Sequence, residues 1–338
     1  MKQFFLVFGI LGFILALAAC GQENGEIVEK NNNSDKAETK PETSQNSNTA
    51  QPNKTDGPFD SNSFFEPFDG KIEHIHGIGY AGDQNFPFFA THDGLKVYED
   101  GKWYKTKNEN NDYMGFNATI DGFYASGHPG EDSKLPNPFG IKRSFDNGQT
   151  IENLVLEGET DFHLMGIGFE SNIIFVKSPN KNSLMEENKF YVSEDEAKTW
   201  KEVNAKGLEQ EIINIAVHPS NPNMVAAAGK EGIYLSEDKG ESFKLITEGV
   251  QGTAVFFTED ALWYGAYNGT PVLVKRSLSD GTEENMKTPN MIQDAVLYLA
   301  ENPQDDNEIT FVSFNGNIYQ STDGTASWKM LAEEGSLK

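Results

Sequence analysis

The sequence predicts an all-β fold, a six-bladed β-propeller, and three observations predict it. An octet of the form Ser-x-Asp-x-Gly-x-Ser/Thr, closed by a large apolar residue, recurs along the chain; its aspartates fall at near-regular intervals; and each interval holds four short β-rich runs. Self-similarity at such a period marks a repeat architecture, and four antiparallel strands per repeat make one propeller blade. The clear copies begin at Ser144, Ser193, Ser236 and Ser321, with Asp146, Asp195, Asp238 and Asp323 as their acids. The intervals are 49, 43 and 85 residues, and the last is close to two of the others. A degraded copy around Asp280 fills that gap, and another around Asp100 lies 46 residues before Asp146. Six copies predict six blades over 71–338. The alternative is seven blades, with 59–70 contributing strands to a unit that carries no octet.

The first element is an address. Residues 1–19 carry one positive charge, Lys2, then an apolar run from Phe4 that ends in Leu17-Ala18-Ala19-Cys20. The run is at the short end of what spans a bilayer, and small residues before the sole cysteine read as a cleavage signature. This segment resembles a bacterial lipoprotein signal peptide, with Leu17 to Cys20 as its lipobox. The resemblance implies cleavage before Cys20, lipid on its thiol, and a protein held at the extracytoplasmic face of the cell membrane.

The second element, 20–70, is the lipidated N-terminus and a tether. From Gly21 to Gly57 the residues are mostly polar or charged, with Ile27 and Val28 isolated, and such a composition cannot bury a core. A flexible coil of about 40 residues spans on the order of 35 Å. The aromatics Phe59, Phe64, Phe65 and Phe68 are expected to clip onto the domain that follows.

The blades come next. In the first, strands are expected over His74–Tyr80, Pro87–Thr91, Leu95–Tyr98 and Trp103–Thr106; in the fourth, over Ile212–Val217, Met224–Ala228, Ile233–Ser236 and Phe243–Ile246. The octet falls between the third and fourth strands. It resembles the Asp-box, or BNR, repeat of bacterial sialidases, sortilin-type receptors and photosystem II assembly-factor propellers. In that motif a short Asp side chain accepts backbone N–H bonds inside a tight turn and a glycine takes a positive φ, so the four box acids are structural. Ala197 and Thr325 stand where glycine is usual, which predicts slightly different turns there.

Charge and composition exclude several classes. There are 27 basic and 52 acidic side chains, a net charge of −25, and Arg143 and Arg276 are the only arginines. A phosphate-tracking nucleic-acid binder is excluded on that balance. One cysteine excludes a disulfide framework and a Cys-ligated zinc finger. A sialidase grips its substrate carboxylate with three arginines, so two arginines, both preceding box turns, argue against that activity. A monomer is expected.

The histidines carry the functional expectation. In a four-stranded meander, the approach to strand one and the turn between strands two and three share an end, opposite the box. His74, His76, His92, His128 and His163 all fall at that end of three consecutive blades, while His218 falls at the other. Met114 offers a thioether beside them, and Asp93, Asp112 and Asp161 offer carboxylates. Imidazole with thioether suits copper, and imidazole with carboxylate suits zinc. The motifs His74-Ile75-His76-Gly77, Thr91-His92-Asp93-Gly94, Asp112-Tyr113-Met114-Gly115, Ser126-Gly127-His128-Pro129 and Asp161-Phe162-His163 also resemble a family of exported bacterial Asp-box propellers labelled glycosyl hydrolase-like or sialidase-like. The expected function is therefore a cell-surface binding propeller that takes a transition metal or a protein partner through this face. The alternative is a glycosyl hydrolase acting on extracellular glycans, with a pair among Asp93, Asp112, Asp161, Glu209, Glu211 and Asp294 as acid and base.

Overall fold

A computed structural model describes residues 63–338 apart from 83, 132 and 210. The expected signal peptide, Cys20 and most of the tether lie outside the described residues. No helix occurs among those described; they form six antiparallel sheets in a ring, a six-bladed β-propeller. The seven-blade alternative is overturned.

The first blade is β1 (Phe65–Pro67), β2 (Ile75–Gly79), β3 (Phe88–Thr91), β4 (Gly94–Glu99) and β5 (Lys102–Thr106). The second is β6 (Asp112–Thr119), β7 (Gly122–His128), β8 (Ile141–Ser144) and β9 (Glu152–Val155). The third is β10 (Met165–Ile167), β11 (Ile174–Lys177), β12 (Phe190–Ser193) and β13 (Lys201–Val203), and the fourth is β14 (Ile212–Val217), β15 (Val225–Gly229), β16 (Gly232–Ser236) and β17 (Lys244–Leu245). The fifth is β18 (Gln251–Phe257), β19 (Ala261–Tyr267), β20 (Pro271–Ser277) and β21 (Glu283–Asn285). The sixth is β22 (Val296–Asn302), β23 (Asp305–Ser313), β24 (Ile318–Ser321), β25 (Lys329–Glu333) and β26 (Ser336–Leu337). The inner strands β2, β6, β10, β14, β18 and β22 stand side by side around the axis, with β22 returning to β2. They line a central cavity of about 430 Å³.

Strand alternation builds the cores. Side chains of a strand point alternately to its two faces, so a blade feeds two neighbours at once. Phe88 joins the cluster shared with the second blade, while Phe89 joins the cluster shared with the sixth. Ile174 and Val176 face the second blade, and Phe175 faces the fourth. Six apolar clusters result, each bridging one pair of neighbouring blades.

The boundary at residue 71 needs correction. Phe65–Pro67 pairs with β5 as a fifth, outer strand of the first blade, so the propeller begins before the tether was expected to end. The physical reason lies in the aromatics. Phe64 and Phe65 bury into the first inter-blade core, and Phe68 packs against the sixth-to-first core with its ring 5.2 Å from the buried Lys96 Nζ. The chain then crosses to the last blade, where Lys71 bridges Ser336 and the Ile72 N–H donates to Gly335 O at 2.9 Å. That crossing ties the two ends of the ring together.

The box turns take their expected place and chemistry. Asp238 accepts from the Ser242 N–H at 2.8 Å, from Ser242 Oγ at 2.6 Å and from Ser236 Oγ at 2.8 Å. Asp146, Asp195 and Asp323 repeat that pattern. The expected difference at Ala197 and Thr325 does not arise. Both hold positive φ, 68° and 73°, and each donates its N–H to the box serine at 2.9 Å, as Gly240 does. The first blade departs instead: Asp100 and Gly101 make a bare two-residue hairpin turn with φ of 49° and 83°.

Candidate functional site

Three consecutive blades bring the five expected histidines to one sector of the channel mouth. His76 is supplied by the innermost strand β2, His92 by the β3–β4 turn, Asp112 by the start of β6, His128 by the end of β7, and Asp161 and His163 by the approach to β10. Across the first and second blades, His92 Nδ1 lies 3.0 Å from Asp112 Oδ2 and His76 Nε2 lies 3.7 Å from Asp112 Oδ1. The His92 ring meets His76 at 4.4 Å and His74 at 4.9 Å between centroids, both edge to face. Across the second and third blades, His163 Nε2 and His128 Nε2 approach one oxygen, Asp161 Oδ2, at 2.7 and 3.2 Å. The two groups share one electrostatic field, since Asp112 feels His128 and His163 as well as His92.

The first group is unusual in what it leaves unsatisfied. His76 Nε2 and Asp112 Oδ1 are both buried, and neither finds a hydrogen-bond partner among the described residues. Buried polar atoms are almost always paired, because leaving one unpaired costs about 1–3 kcal/mol. One ligand atom from each of His76, His92 and Asp112 lies within 4.8 Å of the others. Ligand atoms about 2.0–2.1 Å from a tetrahedral ion are about 3.3 Å apart, so the observed separations surround a position an ion could take.

Burial and the neighbouring His92, His163 and His74 push the His76 imidazole down to about 4, so its nitrogen lone pair is free at neutral pH. Burial raises the Asp112 carboxyl, against the pull of the surrounding imidazoles. Asp161 behaves oppositely: its hydrogen bond with His163 holds the carboxyl low and the imidazole high.

One expected participant, Asp93, is engaged elsewhere. Asp93 accepts from Lys96 Nζ at 2.9 Å and from Thr91 Oγ1 at 2.9 Å, which spends it on neutralising a wholly buried lysine. Met114 is buried two residues beyond Asp112, on the same side of β6 by strand alternation. The glycosidase acids are also engaged elsewhere. Asp294 accepts from the N–H groups of Ala295 and Asn315 and from Asn317 Nδ2, and Glu209 accepts from the Glu231 N–H. His218 sits at the opposite face, buried and bonded through Nε2 to Glu259 O at 3.0 Å. Arg143 pairs with Glu152 and Glu196, and Arg276 with Glu283, all on the blades themselves.

Three supporting residues were not among the expected site residues, although Gly115 and Ser126 stand in the quoted motifs. Asn137 Oδ1 accepts from His128 Nδ1 at 2.7 Å. Ser126 Oγ accepts from the Phe162 N–H at 2.8 Å and pins the Asp161–His163 loop. Gly115 lets the Phe162 carbonyl lie 2.2 Å from where a Cβ would stand.

Comparison with known proteins reaches the fold. A family model described as Sortilin-Vps10, sortilin, neurotensin receptor 3, matches residues 140–288, less than half of the chain. No curated protein matches. Among solved structures, a GH74 enzyme from Niastella koreensis is 16% identical with a TM-score of 0.52, over 79% of this chain and 46% of that one. An ancestral GH74 enzyme is 11% identical with a TM-score of 0.50, over 80% and 40%. YCF48 from Cyanidioschyzon merolae is 14% identical with a TM-score of 0.47, over 81% and 90%. The chain thus spans less than half the length of the GH74 structures it resembles, and at these identities the shared property is the propeller itself.

Proposed function

We propose that this protein is a lipid-anchored binding propeller of the extracytoplasmic membrane face, monomeric, whose histidine-rich mouth holds a divalent transition metal. The observation that carries the metal reading is the pair of buried, unpartnered atoms, His76 Nε2 and Asp112 Oδ1, 3.7 Å apart with His92 beside them. A cation between them would satisfy both. His76, His92 and Asp112 would hold it, with His74 next to His92 as a further imidazole. Two imidazoles and a carboxylate match zinc, and recruitment of the Met114 thioether would favour copper.

Anchoring rests on Leu17 to Cys20, and the polar stretch behind Cys20 would let the propeller reach a partner in front of the membrane. Glycan hydrolysis is the weaker reading. Of the six acids named for it, Asp93, Asp294, Glu209 and Glu211 have other partners, and Asp112 and Asp161 stand among imidazoles.

The test is a competition titration of the full chain in detergent with Zn²⁺ and Cu²⁺. His76→Ala/His92→Ala should weaken the tighter ion by about 100-fold or more, the scale on which metal sites respond to lost support. Unchanged affinity for both ions in that variant would sink the reading.

A further inference from the structure

We propose that the central channel binds a small organic amine at its box end, opposite the histidine mouth, with the ammonium on Glu301 and the apolar body against Phe256. Glu301 lies near the end of the innermost strand β22, lines the cavity, and has a side chain only 12% exposed. Its Oε2 accepts from Trp263 Nε1 at 3.1 Å and lies 3.9 Å from Lys275 Nζ. Its Oε1 has no hydrogen-bond partner among the described residues. A largely buried carboxylate with one oxygen left over is unfavourable unless a cation reaches it. Burial raises the Glu301 carboxyl, against the pull of Lys275 and the Trp263 N–H, and a bound ammonium would favour the ionised form.

The wall beside Glu301 suits the body of such a ligand. Phe256 stands opposite Trp263 in the β18–β19 register and is only partly buried, so ring and carboxylate belong to one site. An ammonium held near an aromatic face gains about 0.5–2 kcal/mol. The sign of the ligand follows from the rim. Glu170, Glu259, Asp260 and Asp306 line the cavity without pairing to a basic side chain among the described residues, and Lys275 is the one lysine or arginine of the lining. Two polar groups further along the channel are also unused. The Tyr298 hydroxyl has no hydrogen-bond partner among the described residues, and burial pushes it up to about 12, so it remains a donor at neutral pH. Asn214 follows the bulge of its inner strand as Asn117 does. Asn117 engages its amide with Gly115 O, Met165 O and the Ile167 N–H, whereas the Asn214 amide has no such partner among the described residues. A cavity of about 430 Å³ with apolar walls and a few convergent polar groups is the usual form of a small-molecule site.

Isothermal titration of the full chain in detergent tests this, with phenethylamine as the cationic probe and phenylacetate as an anionic molecule of similar body. Phenethylamine is expected to bind, and Glu301→Gln to weaken it about 10-fold or more, the scale of a hydrogen bond to a charged group. Lys275→Met removes the cation that competes for Glu301 and should tighten phenethylamine about 3-fold, which keeps the test open if Glu301→Gln fails to fold. His76→Ala/His92→Ala should leave the affinity unchanged, so the two ends of the channel fail independently. No phenethylamine binding in the wild type, equal affinity in Glu301→Gln, or weaker binding in Lys275→Met overturns the site. A preference for phenylacetate that Lys275→Met abolishes makes the ligand an anion and overturns it as well, and so does binding lost in His76→Ala/His92→Ala but kept in Glu301→Gln.

Discussion

His76 is the residue on which the chemistry of the mouth turns, and its environment makes a prediction about pH. Burial, with three imidazoles near it, brings its folded value down to about 4, whereas in the unfolded chain it titrates near 6.5. Between those values the unfolded chain binds a proton that the folded chain does not, so stability falls as pH falls from 6.5 toward 4. His163 acts in the other direction: its folded value is raised, so its contribution is present below 6.5 and is lost as pH rises through that higher value. In metal-free protein, His76→Gln should reduce the stability lost between pH 7 and pH 5 by about 2 kcal/mol, measured by denaturant unfolding. An identical pH dependence in the two proteins would contradict the burial of a neutral imidazole.

At the scale of the element, the box turn shows what a glycine does and where it can be spared. Ala197 occupies the glycine position of its box at φ 68° and keeps the turn's hydrogen bonds. Gly240 cannot be replaced the same way, because a Cβ there would stand 2.2 Å from the Phe175 ring. Gly240→Ala should therefore cost about 2 kcal/mol or more, combining left-handed backbone strain with overpacking. A cost below about 0.5 kcal/mol would show that Phe175 moves freely, contrary to its place in a close-packed core.

The same scale explains what the sequence made legible. Box periodicity carries blade number, strand order and the end of each blade on which a loop lies, which is enough to gather His74, His76, His92, His128 and His163 at one end. Side-chain direction was not legible. Thr91-His92-Asp93 looks like one polar turn, yet His92 faces the mouth while Asp93 turns to Lys96, a buried charge whose demand no local pattern announces. Asn137 was invisible for the same reason: it comes from the long β7–β8 connection, where spacing says nothing about which side chain turns back. Phe65 was read as a clip and proved to be a strand, because an outer edge needs only backbone pairing and carries no alternation of its own.

Across the whole molecule, the ring is closed by 71–72 and the C-terminal hairpin. Ile72 is 2% exposed in the core shared by the first and last blades. Ile72→Ala should cost about 2–5 kcal/mol and broaden the unfolding transition, read by denaturant titration, because it weakens the seam that joins the first and last blades. A loss under about 0.5 kcal/mol would mean the seam is held elsewhere. At the membrane, Cys20→Ser should shift the protein from the membrane fraction to the soluble one, since the chain has no other thiol. Retention with unchanged processing would refute lipid attachment there.

The central claim is a position in space, the gap between His76, His92 and Asp112, and the most direct measurement is anomalous diffraction from crystals of the zinc-loaded protein at the zinc edge. The account predicts a peak about 2.0–2.2 Å from ligand atoms of all three side chains. A structure with no peak there, or with His76 Nε2 and Asp112 Oδ1 paired to protein groups instead, would contradict it.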